Sequence, residues 1–291
     1  MSAKNKIKSL LKIIFSKRPI NMTVQITQLA PTSLLEGRCA VITGGSSGIG
    51  LSVAEAMLSA GASVIITGRN ESKLLSAVEK LQRFAKKDCF VFYECMDISD
   101  IKKQDIHWKN ILGKVGNVKI DILVNNAGTN ASGDSWSRAQ EDSFDKVIDT
   151  NLKGTYFLSN IVAHYMVDNK IQGNILNVAS SSSLRPANSA YILSKWGVRG
   201  LTLGMAKTLI KYGIVVNGVA PGPTATPLLH KEQNDSISLP KNPLGRFARP
   251  EEIANMVVIL TSNMGRVVVG DIVYMTGGAG IITNDDAPYT F

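Results

Sequence analysis

The sequence has few cysteines and no apolar run long enough to cross a membrane. Cys39, Cys89 and Cys95 are the only thiols in 291 residues, too few and too scattered for a disulfide framework. They also lack the paired spacing of zinc ligands, so we expect no metal site and a reducing compartment. A membrane-spanning helix needs about 20 apolar residues in a row, and the sequence has no such run. These absences favour a globular protein of the cytoplasm.

Acidic residues are missing from residues 1–20, which hold six basic residues. The whole chain carries a net charge of +9, so removing these six leaves only +3 on the rest. A domain that binds nucleic acid spreads lysine and arginine over one folded face, and a nearly neutral body does not. We therefore expect no nucleic-acid partner.

The basic arm, residues 1–33, has apolar residues at helical spacing and a helix-ending Pro19. Lysines interrupt its apolar stretch, so it is not a secretory signal. It suits an anionic membrane surface, giving peripheral membrane contact, and it suits packing on the protein's own oligomer equally well. A transit peptide fits less well, because such segments favour arginine over lysine. The apolar stripe consists of Ile7, Leu10, Leu11, Ile14 and Phe15.

From about Leu34 onward, short β-branched runs alternate with helical patterns. This alternation predicts an α/β fold: a single Rossmann-type, doubly wound domain with a seven-stranded parallel sheet over residues 34–280, followed by a short polar tail, 281–291. The predicted strands are Cys39 to Thr43, Ser63 to Thr67, Cys89 to Cys95, Ile120 to Val124, Asn174 to Ala179, Ile214 to Ala220 and Asp271 to Thr276. The predicted helices include Leu51 to Ala60, Glu71 to Phe84, Tyr191 to Leu209 and Pro250 to Leu260.

A glycine-rich loop follows the first predicted strand and leads directly into a helix. Gly44 permits a tight turn, Gly48 lets the backbone approach a pyrophosphate, and Gly50 lets the helix pack on the strand. The helix N-terminus adds N–H groups and the positive end of a dipole. The pattern therefore predicts a dinucleotide site, the alternative being a glycine turn without a ligand. The loop reads Thr43-Gly44-Gly45-Ser46-Ser47-Gly48-Ile49-Gly50.

Further motifs follow in chain order: Asn125-Asn126-Ala127-Gly128, Asn151, Ser180, Tyr191 with Lys195, and Pro221-Gly222. With the glycine loop, they make residues 35 to 280 resemble the classical short-chain dehydrogenase/reductase family. The resemblance implies a nicotinamide cofactor and a small-molecule carbonyl or alcohol substrate. It also implies a homo-oligomer, a tetramer or a dimer, for which the apolar, weakly charged stretch Trp196 to Leu209 supplies a physically reasonable surface.

The end of the second strand bears on the choice of cofactor. Gly68 stands where NAD-dependent members of this family place an acidic residue, and Arg69 can grip a 2′-phosphate with its guanidinium. We therefore expect NADP(H) to be preferred, with NAD(H) as the alternative if Arg69 is merely solvated. Ser46 lies where many NADP-dependent members carry a second basic residue.

The resemblance also implies a set of cofactor contacts. Asp97 matches the family's adenine contact, or else it caps the helix that follows. The segment from Asn125 to Gly128 either contacts the ribose or ties neighbouring strands, and both roles are compatible. Thr224 is expected to bind the carboxamide through its backbone and Thr226 through its hydroxyl. The expected cofactor-binding residues are Thr43, Gly44, Ser46, Ser47, Gly48, Ile49, Gly50, Arg69, Asp97, Ile98, Asn125, Ala127, Gly128, Tyr191, Lys195, Pro221, Gly222, Thr224 and Thr226.

Tyr191 and Lys195 are expected to carry the chemistry. A spacing of four puts both side chains on one face of a helix. A nearby ammonium and an oxidised nicotinamide would lower the pKa of the tyrosine, which could then act as general acid and base. Lys195 would also hold the ribose hydroxyls.

Ser180 and Asn151 complete the expected catalytic group. Ser180 ends the fifth strand and would hydrogen-bond the substrate oxygen, although Ser181 to Ser183 compete for that role. Asn151 matches the family's asparagine that supports a water leading protons to the lysine, or else it has a capping or core role. The segment Pro227 to Pro243 is expected to form a substrate lid, with His230 at its surface.

The sequence thus predicts an NADP(H)-dependent oxidoreductase that interconverts a carbonyl and a secondary alcohol by hydride transfer. An NAD-linked sugar or sterol dehydrogenase is the alternative among enzymes. A cofactor-binding scaffold or sensor without turnover is the alternative from another class. Neither the substrate nor the direction of the reaction follows from the residues.

Overall fold

A computed structural model of the protein describes residues 33–130, 135–229, 231 and 235–283. The basic arm up to residue 32, His230 and nearly all of the tail lie outside this part of the chain. The expectations for the arm therefore stay predictions.

The described residues contain a seven-stranded parallel sheet, which confirms the predicted fold class. Its order is β3-β2-β1-β4-β5-β6-β7, so the chain builds outward from β1 and then returns to place β4 on the other side of it. Such a reversal opens a crevice at the carboxyl ends of the strands, where ligands of open α/β sheets bind. The strands are β1 Cys39–Thr43, β2 Ser63–Gly68, β3 Val91–Cys95, β4 Ile122–Asn125, β5 Asn174–Val178, β6 Val215–Pro221 and β7 Ile272–Met275.

Helices connect the strands and cover both faces of the sheet. The first begins at Gly48 rather than at the predicted Leu51, so the last glycines of the loop already belong to its first turn. No helix among the described residues is long and apolar enough to span a membrane. The helices are α1 Gly48–Ser59, α2 Glu71–Gln82, α3 Gln104–Val115, α4 Glu141–Ile148, α5 Thr155–Asp168, α6 Ala190–Leu209 and α7 Pro250–Thr261.

The hydrophobic core lies in two layers, one on each side of the sheet. On one side, Val53 of α1 and Val257 of α7 pack against alternate residues of the central strands. On the other, Ile111 of α3 and Val162 of α5 pack against the remaining ones. Every residue of β1, β4, β5 and β6 is buried, as expected for parallel strands covered on both faces. This rigid centre fixes the positions of the loops at the strand ends.

Candidate active site

A cleft of about 750 Å³ opens at the carboxyl ends of the strands. The loops that follow β1 to β6 line it, and the N-terminal turn of α6 lies at one end. This is the crevice expected where the strand order reverses, between β1 and β4.

The glycine loop forms one wall of the cleft, and its geometry requires glycine at three positions. Gly44 and Gly48 have φ of 66° and 55°, in the left-handed region that other residues rarely adopt. A Cβ at Gly50 would lie 2.3 Å from the carbonyl oxygen of Gly44, so only glycine lets α1 pack this closely. Gly48 faces Thr226 across the cleft, where a Cβ would be 3.4 Å from the Thr226 methyl.

The buried Thr43 hydroxyl holds the loop after β4 against the glycine loop. Its oxygen accepts hydrogen bonds from the backbone N–H groups of Asn126 and Ala127, both at 3.0 Å. The Asn126 side chain donates in return to the carbonyls of Thr43 and Gly44, at 2.9 and 3.1 Å. Thr43 therefore supports the wall of the cleft from behind.

The Asn125 side chain has the strand-tying role rather than one in the cleft. Its amide donates to Ser159 and to the Asn177 side chain, both at 2.8 Å. Asn177 donates in turn to the Thr202 hydroxyl of α6 at 2.9 Å. All four residues are buried, and together they tie β4 and β5 to the helices on one face.

Arg69 and Asp97 face each other at one end of the cleft, 4.0 Å apart, with side chains 59% and 41% exposed. The other oxygen of Asp97 accepts from the backbone N–H and the hydroxyl of Ser99, at 3.0 and 2.7 Å. Asp97 thus caps a turn and lines the cleft at once, so both alternatives for it are compatible with the structure.

The segment after β6 forms the opposite wall. A Cβ at Gly222 would lie 2.8 Å from the Cα of Thr276, so the chain passes β7 too closely for a side chain. The Thr224 hydroxyl donates to the Gly222 carbonyl at 3.0 Å, and both Thr224 and Thr226 are buried. Leu228 and Leu229 of the following turn line the cleft as well and are about half exposed.

Tyr191 lies at the other end of the cleft, together with Ser180 and Lys195. The Ser180 hydroxyl lies near the Tyr191 hydroxyl and favours its ionised form. The buried Lys195 ammonium donates to the Val178 carbonyl at 2.8 Å and lies 5.8 Å from the centroid of the Tyr191 ring. Ser183, a competitor of Ser180, is turned instead toward the Tyr274 hydroxyl at 3.2 Å.

Burial dominates the titration of this group. It raises the pKa of Tyr191 above its usual value, and the nearby Ser180 side chain opposes that effect only in part. It also lowers the pKa of Lys195 to about 8. The sequence predicted a lowered pKa for Tyr191 next to an ammonium and an oxidised nicotinamide. In the protein without a cofactor, the pKa of Tyr191 is instead raised. The loss of hydration at Tyr191 outweighs the stabilisation of its phenolate.

Asn151 lies behind the cleft in a wide helical turn, Asp149–Gly154, between α4 and α5. Its side chain bonds the backbone of Thr129 and donates to the Ser194 hydroxyl at 3.1 Å. Single π-type turns of this kind are frequent at functional sites. A Cβ at Gly128 would contact both the Asn151 oxygen and the Lys195 ammonium, at 3.5 and 3.8 Å, which places the two side chains beside one small residue.

The structure brings the predicted site residues to one cleft, with Thr43, Gly50, Asn125 and Asn151 immediately behind its lining. It also adds residues that the sequence interpretation missed, above all Lys73 and Arg185. Lys73 follows the helix-capping Asn70 by three positions, and that spacing could have placed it at the mouth of the cleft.

Comparison with known proteins decides the family. The model of the short chain dehydrogenase family matches residues 38–237. The chain belongs to the short-chain dehydrogenase/reductase family. It is accordingly an oxidoreductase that uses a nicotinamide cofactor and acts on CH–OH or carbonyl groups of small molecules.

Several relatives share this family along almost their full length. The chain is 34% identical to the 3-oxoacyl-[acyl-carrier-protein] reductase FabG of Thermotoga maritima, over 84% of this chain and 98% of that protein. It is also 34% identical to the (2S)-[(R)-hydroxy(phenyl)methyl]succinyl-CoA dehydrogenase subunit BbsD of Thauera aromatica, over 85% and 98%. Among solved structures, the 3-ketoacyl-(acyl-carrier-protein) reductase of Brucella melitensis complexed with NADH aligns with a TM-score of 0.75 and 29% identity, over 85% of this chain and 100% of that one.

Proposed function

We propose that this short-chain dehydrogenase/reductase reduces 3-oxoacyl thioesters with NADP(H), using Tyr191 as general acid. The carrying observation is that Ser180, Tyr191 and the buried Lys195 meet at one end of a glycine-walled cleft. The thioester class is supported by the names of two relatives, one acting on acyl groups of a carrier protein and the other on a CoA thioester.

The residues of the cleft fit a nicotinamide dinucleotide. Gly48 and Gly128 leave backbone open to the cleft on the side that the glycine loop and β4 share. When bound, the cofactor supplies a hydride to the carbonyl carbon. We assign the ribose hydroxyls to Lys195 and the carboxamide to Thr224 and Thr226, with the remaining predicted contacts along the walls.

Tyr191 delivers the proton in this proposal. Its raised pKa keeps the hydroxyl protonated near neutrality, which suits the reductive direction. The Ser180 hydroxyl orients the substrate oxygen toward it, so that the oxygen receives the proton as the carbon receives the hydride. The carbonyl thereby becomes a secondary alcohol, and Tyr191 is left as a phenolate.

Lys195 and Asn151 restore the proton. An ammonium with a pKa of about 8 is a much better proton donor than an ordinary lysine, and it lies next to the Tyr191 ring. Asn151 acts as a positioning residue: it fixes the backbone of Thr129 and the helix surface at Ser194, on the side from which a water would reach Lys195.

The NADP(H) preference rests on charge. Gly68 ends β2 without a carboxylate, and the exposed Arg69 guanidinium lines the cleft directly beyond it. An acidic side chain at Gly68 would repel a 2′-phosphate, whereas a guanidinium binds one with parallel hydrogen bonds.

The deciding experiment follows the oxidation of NADPH with acetoacetyl-CoA, a sugar lactone, a 3-oxosteroid and a small cyclic ketone. We expect the highest kcat/KM on the thioester. We also expect Tyr191→Phe to lose about 100-fold or more in turnover while NADPH fluorescence titration shows nearly unchanged binding. Faster turnover of the sugar or steroid, or equal affinity for NADPH and NADH, would replace the proposal with the corresponding alternative.

A further inference from the structure

The cofactor-binding end of the cleft holds a carboxylate close to the expected phosphate-binding arginine. Asp97 lies 4.0 Å from the Arg69 guanidinium, and its other oxygen is fixed by two hydrogen bonds from Ser99. A guanidinium with a fixed carboxylate beside it attracts a second anion less strongly than an unpaired one does. Arg69 alone is therefore a weakened phosphate ligand.

Lys73 supplies a further cation at the same end. It lies in the first turn of α2, is exposed, and lines the cleft together with Arg69 and Asn70. The Asn70 side chain accepts from the Lys73 backbone N–H at 2.9 Å, which fixes the base of this side chain relative to Arg69. Within the described part of the chain, the Lys73 ammonium forms no salt bridge, unlike those of Lys103 and Lys153.

Gly68 lines the same end of the cleft and adds no side chain to it. A Cβ at Gly68 would meet Leu74 at 3.5 Å and the Ser46 hydroxyl at 3.6 Å, which are ordinary contacts. The φ of Gly68 is not in the left-handed region, so neither packing nor backbone conformation requires glycine here. The absence of a side chain at Gly68 therefore affects the charge and the openness of the cleft, and the fold does not require it. Nearby, Ser46 presents a hydroxyl where many NADP-dependent members of the family have a basic residue.

We propose that Lys73 is the second cation that recognises the 2′-phosphate, and that Asp97 reduces the contribution of Arg69. This rests on the proposed NADP(H) preference and adds the residue on which discrimination against NAD(H) depends. Lys73 belongs to α2, whereas Ser46 belongs to the glycine loop. We expect the contacts of Lys73 and Arg69 with the phosphate to weaken as the salt concentration rises, because both cations are exposed to solvent.

The test measures binding of 2′,5′-ADP and 5′-AMP to the full-length protein by calorimetry. The two probes differ only in the 2′-phosphate, and neither requires turnover. We expect Lys73→Gln to weaken 2′,5′-ADP by about 5- to 10-fold, the effect of losing one charge-assisted contact, and to leave 5′-AMP nearly unchanged. Lys73→Arg should retain most of the affinity, and Asp97→Asn, which keeps an oxygen for the Ser99 contacts, should strengthen 2′,5′-ADP binding.

Lys80→Gln is the matched control, since Lys80 is an exposed lysine of the same helix that lies away from the cleft. Loss of affinity for both probes in Lys73→Gln would mean a general effect on the site and would overturn the assignment. If Lys73→Gln leaves the ratio of the affinities for 2′,5′-ADP and 5′-AMP unchanged, the assignment is also wrong, and Arg69 alone recognises the 2′-phosphate. If the parent protein binds both probes equally, the NADP(H) preference and this inference are both wrong. The proposed activity on thioesters does not depend on this result, because the kinetic comparison of substrates tests it.

Discussion

The Asn151 side chain and the Thr129 backbone hydrogen-bond in both directions. The Asn151 oxygen accepts from the Thr129 N–H at 2.8 Å, and its amide donates to the Thr129 carbonyl at 2.9 Å. A loop that begins at the end of β4 is thereby fixed to the turn between α4 and α5. The pair lies beside Gly128, next to the Lys195 ammonium, so its loss should affect both folding and catalysis.

Asn151→Ala should lower the free energy of unfolding by about 1 to 3 kcal/mol, because it leaves buried donors and acceptors without partners. It should also lower kcat more than it raises KM and shift the pH profile of kcat. Urea denaturation and pH-dependent kinetics measure these effects. Asn169→Ala, which removes one exposed amide at the end of α5, is the control. Equal losses in the two variants would exclude a special role for Asn151.

Lys195→Met should stabilise the fold while it abolishes turnover. Burial lowers the pKa of Lys195 from 10.5 to about 8. The folded protein therefore binds this proton less tightly than the unfolded chain, and the full cost of the buried charge is present below about pH 8. The cost disappears as pH rises from about 8 toward about 10.5, so stability from this group increases over that window.

Near pH 7 we expect the Met variant to gain about 1 to 3 kcal/mol, less than the full cost because the Val178 carbonyl loses its donor. The gap to the parent protein should close near about pH 10. Urea denaturation at several pH values measures it, with Lys80→Met as the exposed control. A variant that is less stable than the parent near neutrality would contradict this account of Lys195.

Gly50→Ala should destabilise the protein and weaken cofactor binding. The added methyl would lie 2.3 Å from the Gly44 carbonyl oxygen and 2.4 Å from the Asn126 amide, so the loop must move by a large fraction of an ångström. A cost of about 2 kcal/mol or more is expected. Gly113→Ala, in the last turn of α3 with open space around the glycine, should instead stabilise by about 0.5 kcal/mol. Thermal unfolding and NADPH titration of both variants test the contrast.

The outer faces of α5 and α6 should form the interface of a homo-oligomer. Tyr156 lines a groove of about 330 Å³ between the two helices, and both Tyr156 and Leu203 of α6 are about half exposed. Leu203→Glu should lower the mass seen by light scattering without unfolding the chain, because a charge in an apolar interface is costly. Leu75→Glu is the control: Leu75 is 51% exposed on α2, against 52% for Leu203. A parent protein that is already monomeric would refute the oligomer.

The sequence was sufficient to predict the fold and to place Tyr191 and Lys195 on one helix. Strand-like runs separated by helical patterns predicted the parallel sheet, and the spacing of Tyr191 and Lys195 placed both on one helix face. The choice of Ser180 over its neighbours rested on the match of Asn177-Val178-Ala179-Ser180 to the family pattern. The structure adds the reason, since Ser180 faces Tyr191 while Ser183 turns to Tyr274.

Sequence patterns do not show which side chains of distant segments contact each other. Asn125 fitted two roles equally well until its bonds to β5 and α5 were visible. Lys73 was missed because the family's second basic residue is expected in the glycine loop, where Ser46 stands, whereas Lys73 reaches the cleft from α2. The raised pKa of Tyr191 depends on how deeply the ring is buried, which motifs do not encode.

The hydrogen bonds around the Thr43 hydroxyl have a thermodynamic consequence. They join the two loops on either side of the β1–β4 junction through protein groups alone, so the cradle for the cofactor is already assembled. A ligand that enters a preorganised cradle spends little of its interaction energy on restricting backbone motion. Binding should therefore bring a small loss of chain entropy, with most of the remaining ordering confined to the long, exposed cations at the mouth of the cleft.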